Sequence, residues 1–334
     1  MGRCAEGVRS ALNAWKGGSP VEVDGRESRF DNDPAVVGAP VARSKLSSTL
    51  EHVEGLGWVL PDESESGVRS FAPIDEATIS YPSAAYEEGG VGGTESGFYL
   101  SHRADVVIEL LSRLGVTGFW EIGAGNGNMA VPLSRSGFDV VAVEPLTSGA
   151  EASARQSVTS ICSTLEKLRL PNASLPAVGM FDVLEHLQDP TELLREVHRV
   201  LEPGGLLIVT VPAGGWLWSD LDEALGHFRR YRKTTLLGAV VPVGYQPLLV
   251  EYIYASLVPA AAVLRALPYK LGRRKSEAEM LHKVRQELSV PVALDRAARL
   301  VLHAERNLSR VFSLPCGLSV MAAFGKLPVT PGST

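Results

Sequence analysis

Cysteine is scarce. Cys4, Cys162 and Cys316 are the only three in 334 residues, and no two are spaced as Cys-x-x-Cys. That excludes a disulfide framework and a cysteine zinc site, and it fits a reducing cytoplasm. No long run of Lys or Arg occurs and the net charge is −6, which argues against a general nucleic-acid binder. No apolar run follows Met1, so no signal peptide is expected. Long hydrophobic runs are missing too. The most apolar stretch, 252–267, is hemmed in by Glu251 and Arg265, short of the roughly 20 residues a bilayer span needs. Lys270, Arg273, Arg274 and Lys275 follow it. A basic-flanked apolar helix can lie on a membrane surface, but a core or cap helix with a solvated end is the simpler reading. His52, His102, His198, His282 and His303 show no ligand spacing, so no metal is expected. No internal repeat is visible.

What is present suits a domain of about 200 residues with an appendage. Hydrophobic residues make up 45% of the chain, enough for a sizeable core. Residues 1–80 are poor in large apolar side chains and read as an arm, partly disordered or loosely docked. Residues 46–60 are the one part with enough apolar content to dock. From 81 to 98 the chain is rich in Gly and Glu, the composition of a mobile loop or lid. A helix is expected from about Ser101, with Ala104, Val107, Ile108, Leu111 and Leu114 on one face and Gly115 just past its end.

The chain is organised around residues 119–144. An apolar strand over 118–122 runs into Gly123, Ala124, Gly125, Asn126 and Gly127. A helix follows from about Asn128, with Pro132 near the end of its first turn, where a missing N–H costs least. A second strand over 139–143 ends in Glu144. Glycine permits positive φ and close approach of backbone to a ligand, and the helix N-terminus favours an anionic or electron-rich ligand group. This is a βαβ unit for a nucleotide-like ligand. A dinucleotide site wants Gly-x-Gly-x-x-Gly; here the spacing is Gly-x-Gly-x-Gly and position 128 is Asn.

Further elements follow in alternation: a helix over 150–156, a strand over 158–162, and a strand over 177–181 leading into Asp182, Val183, Leu184, Glu185 and His186. Asp189, Pro190 and Glu192 read as a capping box with proline in the first helical position. The helix they open buries Leu193, Leu194, Val197, Val200 and Leu201, and Pro203-Gly204-Gly205 stops it. Residues 206–211 form a continuous apolar strand of the kind found inside parallel sheets. A polar and aromatic loop over 212–234, a helix over 235–241, a strand over 246–254, a mainly helical 257–310 and a last strand over 318–324 complete the chain. Such alternation predicts a doubly wound α/β sheet.

These motifs resemble those of the class I S-adenosylmethionine-dependent methyltransferases. The resemblance rests on Glu121-x-Gly123-x-Gly125-x-Gly127, Glu144, the run from Phe181 to Leu187, and Leu201-x-Pro203-Gly204-Gly205. Residues 225–231, Leu-Gly-His-Phe-Arg-Arg-Tyr, are similar to a ubiquinone-biosynthesis-like subgroup. It implies a Rossmann-like seven-stranded sheet, mostly parallel with an antiparallel last strand, and a helical insert before that strand. The implied organisation is an arm over 1–80, a cofactor-binding core over 81–256, a helical insert or cap over 257–310, and a last strand and tail over 311–334. S-adenosyl-L-methionine is the implied cofactor. Glu144, beside Pro145, would accept from the ribose hydroxyls, because charge-assisted bonds are strong. The loop amides would meet the ligand, and Glu121 would fix the loop or bind the methionine amino group. Phe181 and Asp182 would lie at the cofactor's edge. The family commonly carries an acid after its third strand for adenine; here Cys162-Ser163-Thr164-Leu165 has none, leaving Ser163 and Thr164.

Methyl transfer needs an aligned acceptor and, for a hydroxyl, a base. His186, just past a strand on the ligand side of the sheet, and His227, in the loop where the acceptor should enter, are the candidates. Glu185 reads equally well as a surface carboxylate. Arg229, Arg230 and Arg232 read as a solvated face in preference to an anion site. Trp216 and Trp218 are candidate pocket walls or core. The expected activity is methyl transfer to oxygen of a small-molecule or lipid-like acceptor in the cytoplasm. A non-catalytic cofactor binder and a dinucleotide-dependent oxidoreductase are the alternatives.

Overall fold

The computed structural model describes residues 97–276 and 292–327, with Thr49, Arg69, Ser70 and Glu279 besides. The expectations for 46–60, for most of the 1–80 arm, for the 81–96 loop and for most of 277–291 lie outside the described residues.

Eight strands form one sheet in the order β1-β4-β3-β2-β5-β6-β8-β7. They are β1 (Arg69–Ser70), β2 (Gly118–Ile122), β3 (Asp139–Glu144), β4 (Thr159–Cys162), β5 (Leu175–Phe181), β6 (Leu201–Pro212), β7 (Tyr245–Ile253) and β8 (Ser319–Lys326). Pairing is parallel from β1 through β6, and β8 runs antiparallel between β6 and β7. This is the seven-stranded Rossmann-like sheet with an antiparallel last strand in sequence. The addition is β1, two residues that pair with Ile161 and Cys162 at the sheet edge. The sequence reading placed them in a loose arm, because a two-residue strand has no periodicity to detect.

The helices are α1 (Phe98–Arg113), α2 (Ala130–Arg135), α3 (Thr147–Ala154), α4 (Thr191–Val200), α5 (Asp220–Ala224), α6 (Lys233–Val240), α7 (Val258–Ala261, continued through a π turn into a last helical turn, Leu267–Lys270) and α8 (Val292–Ser309). Alternation along each strand feeds two cores. Trp120, Ile122, Val178, Met180, Leu207 and Val209 face one layer, with Leu194, Val197 and Val200 of α4. Phe119, Ala177, Phe181 and Ile208 face the other, with Val107, Leu110 and Leu111 of α1. Period 2 in the strands and period 3.6 in the helices therefore meet on both faces.

Three local expectations change. Asp189 does accept the Thr191 amide, at 3.0 Å, but Pro190 is the N-cap and the capping box is not formed. Pro203-Gly204-Gly205 is not a turn between helix and strand. The strand starts at Leu201, and the three residues form a bulge opposite β5, where the pairing jumps from Leu175–Leu201 to Ala177–Leu206. Gly204 has φ +83° there, a conformation that only glycine adopts at little cost. The apolar 252–267 stretch ends β7 and continues as helical turns, with Val263 and Leu264 exposed rather than in the core. No helix among the described residues is long and apolar enough to cross a membrane.

Candidate active site

The loop after β2 is held by its own chain. The amides of Gly123 and Ala124 both donate to the Val143 carbonyl, at 2.8 and 3.2 Å, and Gly127 N–H donates to Ala124 O at 2.9 Å. Gly125 N–H donates to Glu144 Oε2 at 2.8 Å. These four amides are therefore committed inside the protein, not offered to a ligand as the sequence suggested. The glycines answer to packing as well. A Cβ on Gly123 would lie 2.7 Å from Val183 Cγ2, and one on Gly127 would lie 2.7 Å from Ser153 Oγ. Positive φ at 123, 125 and 127, of +73°, +55° and +80°, completes the requirement for glycine. The helix after the loop starts at Ala130, two residues later than expected.

Two acids flank this loop. Glu121 lies on β2 on the face that carries Phe119, and it is buried. Its Oε2 has no hydrogen-bond partner. Burial pushes its carboxyl up to about 8, against the pull of Arg103, with Glu144 adding to the rise. Glu144 is also buried; its Oε1 accepts from Leu146 N–H at 3.0 Å. Burial raises it to about 7, opposed by the Leu146 and Gly125 amides. Each Glu144 oxygen keeps a second lone pair. An unpartnered buried oxygen on Glu121 and spare acceptor capacity on Glu144 suit a ligand that brings an ammonium and a diol.

The remaining cofactor candidates are less directly presented. Pro145 is half-buried. Ser163 is fully buried and donates its hydroxyl to the Thr164 carbonyl at 3.1 Å, while Thr164 is half-exposed. Phe181 turns its ring into the core, 6.0 Å from the Phe119 ring, because alternation points it away from the sheet end. Asp182, at φ +57°, pairs with Arg103 of α1 and accepts from Thr210 Oγ1 at 3.2 Å. It ties α1 to the ends of β5 and β6.

The turn after β5 carries Glu185 and His186, and the 212–232 loop folds over it. Phe228 N–H donates to Glu185 O at 2.8 Å, and Tyr231 Oη donates to Leu184 O at 3.2 Å. This docking brings His227 to His186, ring centroids 4.7 Å apart and edge to face. The two candidate bases, 41 residues apart in sequence, share one site. Burial, and then His227, lowers His186 to about 3; it donates to the Gly226 carbonyl.

His227 is oriented from behind. Its Nδ1 lies 3.0 Å from Asp222 Oδ1, and Arg230 Nε reaches the same oxygen at 2.6 Å. Ser219 N–H donates to Asp222 Oδ2 at 2.9 Å. Burial alone would raise the Asp222 carboxyl, but the His227 bond and the Arg230 guanidinium hold it below its ordinary value. An ionised carboxylate only accepts, so Nδ1 carries the hydrogen, and in the neutral ring Nε2 has the lone pair. Sequence reading missed Asp222 in this role. The available signal was an acid on the same loop, five residues before the histidine.

Two expectations are corrected here. Glu185 is fully buried, not a surface carboxylate. Arg230 is an internal tie with 9% of its side chain exposed, not part of a solvated face; Arg229 is half-buried and donates to the carbonyls of Leu187 and Gln188, and Arg232 is exposed, as expected. Glu185, His186 and His227 bring ligand atoms within 4.8 Å of one another, a cluster that spacing along the chain does not show. Trp216 is exposed and Trp218 half-buried.

Residues 120–209 match a family model described as a methyltransferase domain. Among curated proteins, the chain is similar to an uncharacterized methyltransferase of Mycobacterium tuberculosis, 34% identical over 111 residues, covering 33% of this chain and 42% of that one. It is similar to a ubiquinone biosynthesis O-methyltransferase of Bradyrhizobium, 31% identical over 102 residues, 29% of this chain and 40% of the relative. The chain thus matches less than half the length of these relatives. A solved S-adenosylmethionine-dependent methyltransferase of Thermotoga maritima, described as a possible histamine N-methyltransferase, aligns at 18% identity and TM-score 0.43, covering 69% of this chain and 90% of the other.

Proposed function

From the premise that this chain belongs to the class I S-adenosylmethionine-dependent methyltransferase family, we propose that it transfers a methyl group to oxygen of a small-molecule or lipid-like acceptor in the cytoplasm. The observation that carries the reading is the pair of buried acids around the glycine loop. Glu121 has an oxygen without a partner, and Glu144 is clasped by two amides yet retains acceptor capacity. S-adenosylmethionine supplies an electrophilic methyl on a sulfonium. Glu121 would hold the amino group of its methionine part, and Glu144 the ribose diol. Ser163 and Thr164 stand on the adenine side.

Oxygen is favoured as the acceptor atom by the state of His227. Asp222 fixes the tautomer of its neutral ring, which leaves the lone pair on Nε2, and the ring lies edge to face with His186. Such an imidazole takes a proton from an aligned hydroxyl. Neighbouring Asp222 then stabilises the positive ring without moving a proton itself, the division of labour of a carboxylate–histidine pair.

Calorimetric titration of the purified chain with S-adenosylmethionine and with its demethylated product tests the reading. Binding that weakens strongly in Glu144→Ala supports it. No binding, or binding indifferent to that change, sinks it. Incubation with methyl-labelled cofactor and cell extract then identifies the acceptor. Binding without any labelled product would mean a non-catalytic cofactor protein.

A further inference from the structure

Glu185 is fully buried, and neither carboxylate oxygen has a hydrogen-bond partner. An ionised carboxylate left in this way costs several kcal/mol (order of magnitude). It is relieved by a proton or by a cation.

The surroundings favour a cation. Glu185, His186 and His227 each bring a ligand atom within 4.8 Å of the others. Donor atoms around an ion at about 2.1 Å sit about 3–4 Å apart, so modest side-chain rotation closes the set. The His227 lone pair is on Nε2, because Nδ1–H is given to Asp222 at 3.0 Å. A ligating histidine that donates its other N–H to a carboxylate is the usual outer shell of a metal site. Asp222 is itself fixed by Arg230 and Ser219. His186 gives one N–H to the Gly226 carbonyl, leaving the lone pair of the neutral ring on the other nitrogen. The turn that carries Glu185 and His186 abuts the glycine loop, where Val183 packs under Gly123.

We propose that Glu185, His186 and His227 bind a divalent transition-metal ion, with Asp222 orienting His227 from behind. Two imidazoles and one carboxylate suit Mn2+, Co2+ or Zn2+ better than Mg2+ or Ca2+, which prefer all-oxygen sets. Three protein ligands leave open positions, as in catalytic sites. An ion held there would lower the pKa of an acceptor hydroxyl at one of them, whose proton would pass to solvent. His227 then serves as a ligand through Nε2 rather than as the proton acceptor. The role of the ion in acidifying an acceptor rests on the methyl-transfer reading; its binding does not.

The test is metal binding by the chelator-treated full chain, with no cofactor or acceptor present. Mn2+ is followed by electron paramagnetic resonance, and Co2+ by its visible absorption. One ion per chain is expected. His186→Ala, His227→Ala and Glu185→Gln should each weaken binding by about 100-fold or more, and Asp222→Asn by about 10–100-fold. His303→Ala, on the exposed side of α8, should leave it unchanged. Thermal unfolding checks that each variant is folded, and the histidine variants keep the test open if Glu185→Gln is not. No ion on the folded wild type, or equal binding by His186→Ala and His227→Ala, overturns the site. A parallel cofactor titration separates the two readings. Cofactor binding without an ion removes only the metal site, whereas an ion without cofactor binding supports the site and removes the methyl-transfer reading.

Discussion

Gly125 and Glu144 are joined by a 2.8 Å hydrogen bond from amide to carboxylate. The second Glu144 oxygen takes the Leu146 amide at 3.0 Å. The acid at the end of β3 therefore clasps the loop that follows β2 to the start of the segment leading into α3. One side chain sets the loop's shape and supplies its remaining acceptor capacity.

Glu144→Ala removes both bonds and leaves two amides without their acceptors. The expected cost is about 2–4 kcal/mol, from two lost charge-assisted bonds and their desolvated donors. Denaturant unfolding measures it. Cofactor affinity should fall by at least about 10-fold, with Glu144→Gln intermediate because it keeps one acceptor oxygen. Stability equal to wild type would show that the clasp contributes nothing.

The two acids also predict a pH dependence. Glu121 moves from 4.5 when unfolded to about 8 when folded, so the folded state holds its proton more tightly. The stability it contributes is full below about 4.5 and is lost as pH rises towards 8, by a few kcal/mol at about 1.4 per unit. Melting curves from pH 5 to 8 should show wild type losing stability relative to Glu121→Gln. Ligand affinity should run the other way. Glu144 ionises near 7 and Glu121 near 8, and each accepts best when ionised, so affinity should climb with pH and flatten only above about 8. A flat profile in wild type contradicts this.

Gly149 offers a steric test of the same clasp. A Cβ there would sit 2.9 Å from Glu144 Cγ and 3.0 Å from Gly125 O. Gly149→Ala must therefore move the acid or the loop, at about 1–3 kcal/mol. Gly215→Ala is the control, since nothing lies within 4 Å of a Cβ at that position. Equal melting temperatures for the two variants would refute the crowding argument.

Arg230 and Asp222 form a buried pair, with 9% and 0% of their side chains exposed. Arg230→Ala leaves the Asp222 charge with His227 and Ser219 alone, at an expected 2–4 kcal/mol, somewhat below the usual figure for breaking a buried pair. Asp222 should then lose its depressed carboxyl range, and the pH profile of any activity should shift while cofactor affinity stays near wild type. An unchanged profile would separate Arg230 from the site.

Much of this was written locally. The glycine loop, Glu121 and Glu144 lie within 24 residues, and the near-continuous apolar runs over 118–122, 139–144 and 206–211 marked three central strands, because each is buried on both faces. Boundaries slipped where backbone geometry outran pattern, as at the bulge over Pro203-Gly204-Gly205. Strand β1 was invisible for want of length.

The sequence by itself determined the fold class, the βαβ unit with its loop and acids, and the identities of the two candidate histidines. These depend on contacts between near neighbours, which composition and periodicity record. Only the tertiary structure decided that Glu185 is buried without a donor, that Asp222 and not a solvated loop holds His227, and that His186 and His227 meet. Those facts depend on how the 212–232 loop folds back over the end of β5. That is long-range packing, which leaves no period in the chain to read.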